Sequence, residues 1–137
     1  METEGQFSPS TVEAARDRYA SVGPTAQVVV KEVAKAMGLD PEEYERRVTS
    51  DVVETARDVL FAESLAVTVG TRREFEEWRA DTDHEVTVVG SEHVDNVVWH
   101  APVFVDDAVA ATFQDERNAA VGTLRRQAFG RLYREVV

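Results

Sequence analysis

Apolar residues recur at helical spacing through the first half of the chain. The first stripe follows Ser8-Pro9, where an N-capping serine precedes a proline suited to the first helical position. Its apolar members are Val12, Ala15, Tyr19 and Val22. Gly23-Pro24 ends this predicted helix, and residues 1–7 are expected to be frayed.

Three further helices are predicted before the period changes. The second runs from Ala26 to Met37; Val28–Val30 alone is compatible with a strand, but the period over 12 residues favours a helix. The third begins at Asp40-Pro41, with carboxylates near the positive end of its dipole. The fourth carries its apolar residues on one face, at Val52, Val53, Ala56, Val59 and Leu60.

At Leu65 the period changes from 3.6 to about two, which is typical of half-buried strands. Four strands are predicted, over Leu65–Val69, Val86–Val88, Val94–Ala101 and Ala108–Phe113. Thr71 and Glu74 form a capping box for a short helix between the first two, and a long helix covers Asp115–Val137. The pattern predicts a single α+β domain with N-terminal helices, a small antiparallel or mixed sheet and a long C-terminal helix.

The charge balance narrows the classes of protein to consider. The 137 residues carry a net charge of −11, and cysteine is absent, which excludes disulfides and thiolate metal sites. Of the basic residues, only Lys31 and Lys35 are lysine. A GC-rich genome explains that bias; a cytoplasm at molar salt, where the Debye length is about 3 Å, explains the acidity as well. The first residues do not show the basic and then apolar run of a signal peptide, so the protein is expected to be cytoplasmic, with no membrane partner.

Three stretches carry a resemblance to a known family. They are TAQVVVKEVAKAM (25–37), SEHVDNVVWHAP (91–102) and AVGTLRRQAFGRLYREV (120–136). Together with the acidic, lysine-poor composition, they resemble a family of small uncharacterised haloarchaeal proteins classed as a domain of unknown function. The resemblance implies a high-salt cytoplasm and supplies no site residues.

Two imidazoles, a carboxylate and an indole lie within eight residues of one another, at His93, Asp95, Trp99 and His100. These residues form a candidate ligand or partner site for a small enzyme or ligand-binding protein. The alternative is a solvated turn followed by a packed strand. No metal-binding spacing, nucleophile motif or glycine-rich phosphate loop accompanies them, so no catalytic residue, metal or cofactor is predicted.

The C-terminal segment, residues 115–137, is the one net-positive part of the chain. At about 100° per residue, its apolar side chains fill a wide arc. Arg117 and Arg125 fall inside this arc; they are expected to pair with acids of the earlier helices, or to pack their stems while their charged ends reach solvent. Outside it, Arg126, Arg131 and Arg134 form a candidate basic docking face.

Residues 33–48 also resemble a helix-turn-helix. The second helix of that unit would begin with Glu42, Glu43 and Glu45, which repel a phosphate backbone, so nucleic acid is an unlikely partner. The preferred hypothesis is a non-catalytic binding or regulatory module that docks a protein partner, or itself, through the C-terminal helix. The alternatives are the His93–His100 ligand site and a DNA-binding regulator.

Overall fold

The computed structural model describes all 137 residues as an α+β fold with six helices and one five-stranded sheet. The helices are α1 (Val12–Ser21), α2 (Gly23–Ala36), α3 (Pro41–Arg47), α4 (Ser50–Ser64), α5 (Arg72–Asp81) and α6 (Arg117–Ala128). The strands are β1 (Glu2–Glu4), β2 (Val67–Thr71), β3 (Glu85–Val89), β4 (Asn96–His100) and β5 (Asp107–Phe113). Residues Phe129–Tyr133 continue α6 as a π-helical turn.

The sheet is mixed, with the strand order β1-β2-β4-β5-β3. Every neighbouring pair is antiparallel except β3 and β5, which run parallel. In the centre, Thr68 lies opposite Trp99, and Trp99 lies opposite Ala110. Because side chains alternate between faces, this register sends Trp99 and His100 to opposite sides of the sheet.

Helices cover the two faces of the sheet unequally. On one face, α1, α4 and α6 enclose a core of 16 buried residues, which includes Phe61, Leu124 and Tyr133. On the other face, α5 alone covers a cluster of four buried residues, Phe75, Val97, Trp99 and Ala110. The helix α2 packs on α4 through its buried residues Ala26, Val30 and Ala34.

Most local start signals act as predicted. The hydroxyl of Thr71 accepts from the Glu74 backbone N–H while the Glu74 carboxylate accepts from the Thr71 N–H, so the capping box is complete. Asp40 caps α3 by accepting from the Glu43 N–H at 2.8 Å. The first cap is displaced: Thr11 rather than Ser8 accepts the N-cap hydrogen bond, and α1 starts at Val12.

The N-terminus corrects the prediction of a frayed segment over residues 1–7. Residues Glu2–Glu4 form a fifth strand, paired antiparallel with β2. Arg117 fixes this strand from α6, since its Nε lies 2.7 Å from the Glu4 carboxylate and its Nη2 lies 2.6 Å from that of Glu2. Three residues with one apolar neighbour give no period to recognise, so the pairing is decided by partners distant in sequence.

None of the helices combines the length and apolar character needed to cross a bilayer.

Candidate functional site

The structure does not gather His93, Asp95, Trp99 and His100 into one site. His93 and Asp95 are exposed in the turn before β4. Asp95 braces that turn: its backbone N–H donates to the Gln114 side chain at 3.3 Å, and its carboxylate accepts from the Gln114 amide at 3.1 Å. Trp99 and His100 are both buried, on opposite faces of β4. The turn and the strand therefore hold separate groups.

His100 is a buried core residue with both ring nitrogens engaged. Its Nδ1 donates to the Ala66 carbonyl at 2.8 Å, and its Nε2 accepts from the Tyr133 hydroxyl at 2.6 Å. Burial lowers the pKa of His100 to about 4 and raises the pKa of Tyr133 above its ordinary value. Near neutral pH the imidazole is uncharged, and it links β4 to the residue before β2 and to the π-helical turn after α6.

Acidic and imidazole groups do not converge elsewhere either. Nowhere do three His, Asp or Glu side chains come close enough together to hold a metal ion. The third histidine, His84, lies in the turn that precedes β3; its Nε2 donates to the Pro102 carbonyl at 2.8 Å, and its Nδ1 accepts from the Thr82 hydroxyl at 3.1 Å.

The predicted basic face of α6 is exposed, and the apolar arc beside it is covered. Arg126, Arg131 and Arg134 all face solvent, with Arg131 donating to the Gln127 side chain at 3.0 Å and Arg134 lying 5.3 Å above the Phe129 ring. The apolar side chains of the arc that the sheet and α4 bury are Val121, Leu124, Ala128, Phe129, Leu132 and Tyr133. The α6 surface therefore offers charge without an apolar patch.

The two arginines inside the arc are partly buried and paired. Arg125 donates from Nε to the Leu65 carbonyl at 3.0 Å, and its Nη1 lies 3.9 Å from the Glu63 carboxylate of α4. Arg117 pairs with Glu2 and Glu4 of β1 instead of a helix, which the sequence did not predict.

Residues 33–48 form two helices joined by a turn, as the helix-turn-helix resemblance requires. However, α3 has only 7 residues, and Glu42 and Glu43 occupy its first turn. Arg46 and Arg47 follow in its last turn, and both are exposed. Glu42 and Glu43 therefore lie at the end of α3 that would approach a phosphate backbone. Their negative charge would repel DNA.

The most apolar concave surface overlaps residues 33–48, the candidate helix-turn-helix, but the sequence did not predict a groove there. We call it the α2–α4 groove: α2, α3 and α4 enclose a cavity of about 420 Å³, and 9 of its 11 lining residues are hydrophobic. The residues that expose most apolar surface there are Val29, Val33, Met37 and Val52.

A sequence signal for this groove exists in α2. Val29, Val33 and Met37 repeat every four residues, beside the buried stripe of Ala26, Val30 and Ala34. Two adjacent apolar stripes make a face wider than one packing helix covers. The sequence pattern shows that α2 carries a wide apolar face. It does not show how much of that face is exposed, because this depends on how far α3 covers it.

Comparison with known proteins assigns the chain to a family. No curated protein and no solved structure matches it. A family model described as a family of unknown function, DUF5809, matches residues 6–134, nearly the whole chain. The chain therefore belongs to this family of unknown function.

Proposed function

We propose that this protein is a non-catalytic binding module that docks a protein partner in the α2–α4 groove. The observation that carries the proposal is the exposure of Val33 and Met37, each more than half accessible to solvent, on the wall of an apolar groove. Apolar patches of this kind mark interaction sites in proteins that otherwise cover themselves with charge.

The packing of α2 on α4 explains why the groove stays open. The contact runs through Ala26, Val30 and Ala34, so two of its three buried side chains are alanines and the helices approach closely. The bulkier Val29 and Val33 then stand on the rim of the contact instead of inside it. Covering them would remove apolar surface from water at about 25 cal/mol per Å².

The occupant that fits is an amphipathic helix of another protein with positive charges beside its apolar face. A groove between helices accepts a helix that presents anchors at i, i+3, i+4 and i+7. Arg47 is the one charged residue that lines the groove itself, but residues 23–64, which surround it, carry 9 acidic and 5 basic side chains. That surplus of carboxylates attracts a cationic helix and repels both an acidic helix and a second copy of this chain.

The C-terminal helix is the weaker docking surface of the two. Its exposed arginines Arg126, Arg131 and Arg134 lie around polar residues, and its apolar arc is consumed by the core. Exposed charges alone contribute little affinity, especially in salt. The α6 surface therefore ranks behind the groove for the protein partner.

A direct test uses a labelled synthetic helix with leucines at the anchor positions and lysines on its flanks. Its binding is followed by fluorescence anisotropy against the full chain, at a KCl concentration where circular dichroism shows the fold intact. The wild type binds, and Val33→Asp lowers the affinity at least about tenfold, because a carboxylate then stands in the apolar groove.

The matched control is Val28→Asp on the same helix. Val28 is as exposed as Val33 but does not line the groove, so binding is unchanged. A version of the peptide with glutamates for lysines binds more weakly at the lowest KCl concentration that keeps the fold intact, and the difference narrows as KCl is raised. The proposal fails if the lysine peptide does not bind at about 1 mM, or if both variants bind alike. A dimer seen by sedimentation, abolished by Val33→Asp alone, would assign the groove to a second copy instead.

We also propose that the protein works in a cytoplasm at molar salt, as in haloarchaea. The exposed carboxylates of α3, Glu42 and Glu45, make no ion pair, and similar acids recur along the surface. In dilute buffer they repel one another, and salt screens that repulsion. The thermal midpoint is expected to rise steadily with KCl. Equal stability without added salt would contradict this proposal and leave the docking test unaffected.

A further inference from the structure

A second cavity lies on the thinly covered face of the sheet, beside α5. We call it the tryptophan cleft; its volume is about 260 Å³, and it lies between β1, β2 and the end of β4. Its lining includes Thr3, Thr68, Trp78 and Trp99. The register aligns three of these across the sheet, since Thr3 lies opposite Thr68, and Thr68 lies opposite Trp99.

Trp78, which stacks on the buried Trp99, forms one wall of this cleft. Trp78 and Trp99 stack with centroids 5.5 Å apart and ring planes 29° apart. Phe75 supports Trp99 from within the cluster, at 5.3 Å between centroids. Trp99 is held in place on the sheet, whereas Trp78 is half-buried on α5 and faces the same opening.

The cleft also holds polar groups that the protein leaves without partners. Thr3, Ser8 and Thr68 line the cleft, and their hydroxyls make no hydrogen bond within the protein; Thr3 and Ser8 are exposed, and Thr68 is half-buried.

No formal charge lines the cleft, although the chain carries −11. Its one titratable member is His100, whose ring nitrogens are both occupied by Ala66 and Tyr133. A charged ligand would find no counter-ion here and would lose its hydration, which is costly. The lining therefore favours an uncharged ligand with hydroxyl groups.

We propose that the tryptophan cleft binds a single uncharged sugar ring of the pyranose type. The C–H face of such a ring packs on the half-buried Trp78, while its hydroxyls donate to and accept from the hydroxyls of Thr3, Ser8 and Thr68. The volume, just below the usual range of about 300–1,000 Å³ for ligand pockets, admits one ring and no more. This site is separate from the α2–α4 groove and does not depend on the docking proposal.

The chain itself carries the reporter for a test. It has only two tryptophans, and both line the cleft, so an NMR spectrum shows two indole N–H signals that belong to this site. Glucose, galactose and mannose are titrated up to about 50 mM, in the range of weak binding. At least one shifts both indole signals saturably, whereas glucose 6-phosphate and adenosine do not.

Variants separate binding from non-specific effects. Thr68→Val removes one hydroxyl from the cleft and weakens the binding of the sugar about tenfold. Thr87→Val on β3 makes the same change at an exposed position outside the cleft and leaves the affinity unchanged. The proposal is overturned if no hexose shifts the indole signals, if adenosine or the sugar phosphate binds more tightly, or if Thr68→Val and Thr87→Val bind alike while both are folded.

Discussion

The two faces of the sheet are built on different principles. On the α4–α6 face, aromatic rings interlock: Phe61 contacts Phe7, Tyr19, Phe129 and Tyr133, with centroids 5.2–5.9 Å apart. On the α5 face, a single helix of 10 residues covers a cluster of four buried residues, and the tryptophan cleft opens beside it. Several helices cover the first face completely, whereas α5 covers the second face only in part.

This difference separates the groups that stabilise the fold from those available to ligands. The sealed face uses its polar side chains to hold elements together, as His100 and Tyr133 do. The thin face leaves the hydroxyls of Thr3, Ser8 and Thr68 unpaired within reach of solvent. Trp99 and His100 are adjacent in the sequence, but their side chains lie on opposite faces of the sheet, one beside the cleft and the other in the sealed core.

Replacing one aromatic residue on each face tests the contrast most strongly. Phe61→Ala is expected to cost about 3–5 kcal/mol, because it empties the centre of a sealed aromatic cluster. Trp78→Ala is expected to cost about 1–2 kcal/mol, since the ring is only half-buried and borders an open cleft. Denaturant unfolding in molar KCl measures both; equal costs would contradict the distinction between the faces.

The buried imidazole predicts a specific loss of stability in acid. Since the pKa of His100 falls from 6.5 in the unfolded chain to about 4 in the folded protein, the unfolded chain binds the extra proton first as the pH drops. Stability is unaffected above pH 6.5 and declines down to pH 4, by about 3 kcal/mol in all.

The His100→Gln variant isolates this effect, because the carboxylates titrate equally in both proteins. Its stability is lower at neutral pH but declines less between pH 6.5 and pH 4. His93→Gln, at an exposed position in the turn, serves as the control and keeps the wild-type slope. A wild-type slope in His100→Gln would show that this imidazole is not the titrating group.

Removing one hydroxyl from the sealed face produces a smaller effect. Tyr133→Phe takes away the donor that lies 2.6 Å from His100 Nε2 and leaves a buried acceptor unpaired. The expected cost is about 1–3 kcal/mol. Tyr44→Phe, at an exposed ring on α3, is expected to change the unfolding midpoint little.

The edge of the sheet gives the smallest and most local effect. Arg117→Gln breaks the ion pairs with Glu2 and Glu4, whose side chains are about one third to two thirds exposed. Hydrogen exchange of the β1 amides is expected to speed up several-fold, with little change at β4. The difference narrows as KCl is raised, since salt screens exposed ion pairs; protection unchanged at every salt concentration would show that backbone pairing alone holds β1.

The local elements could be predicted because their signals are contained in short windows. The stripe over residues 26–37 gives α2, and the Thr71–Glu74 capping box starts α5. Strand β1 could not be predicted, since Glu2–Glu4 has no apolar pattern and is held by β2 and Arg117. Only part of the tryptophan cleft could be predicted. The sequence pointed to Trp99, but its neighbours Thr3 and Trp78 lie at distant positions in the sequence.

The sequence by itself determined the periods, the caps and the surplus of carboxylates, because each depends on residue type and spacing alone. It also determined that α2 carries more apolar surface than one neighbour needs. Only the tertiary structure decided which surplus is buried and which stays exposed: the arc of α6 meets the sheet and α4, whereas Val33 and Met37 meet solvent. The physical reason is that a surface is buried only when another surface packs against it, and that second surface comes from a distant part of the chain.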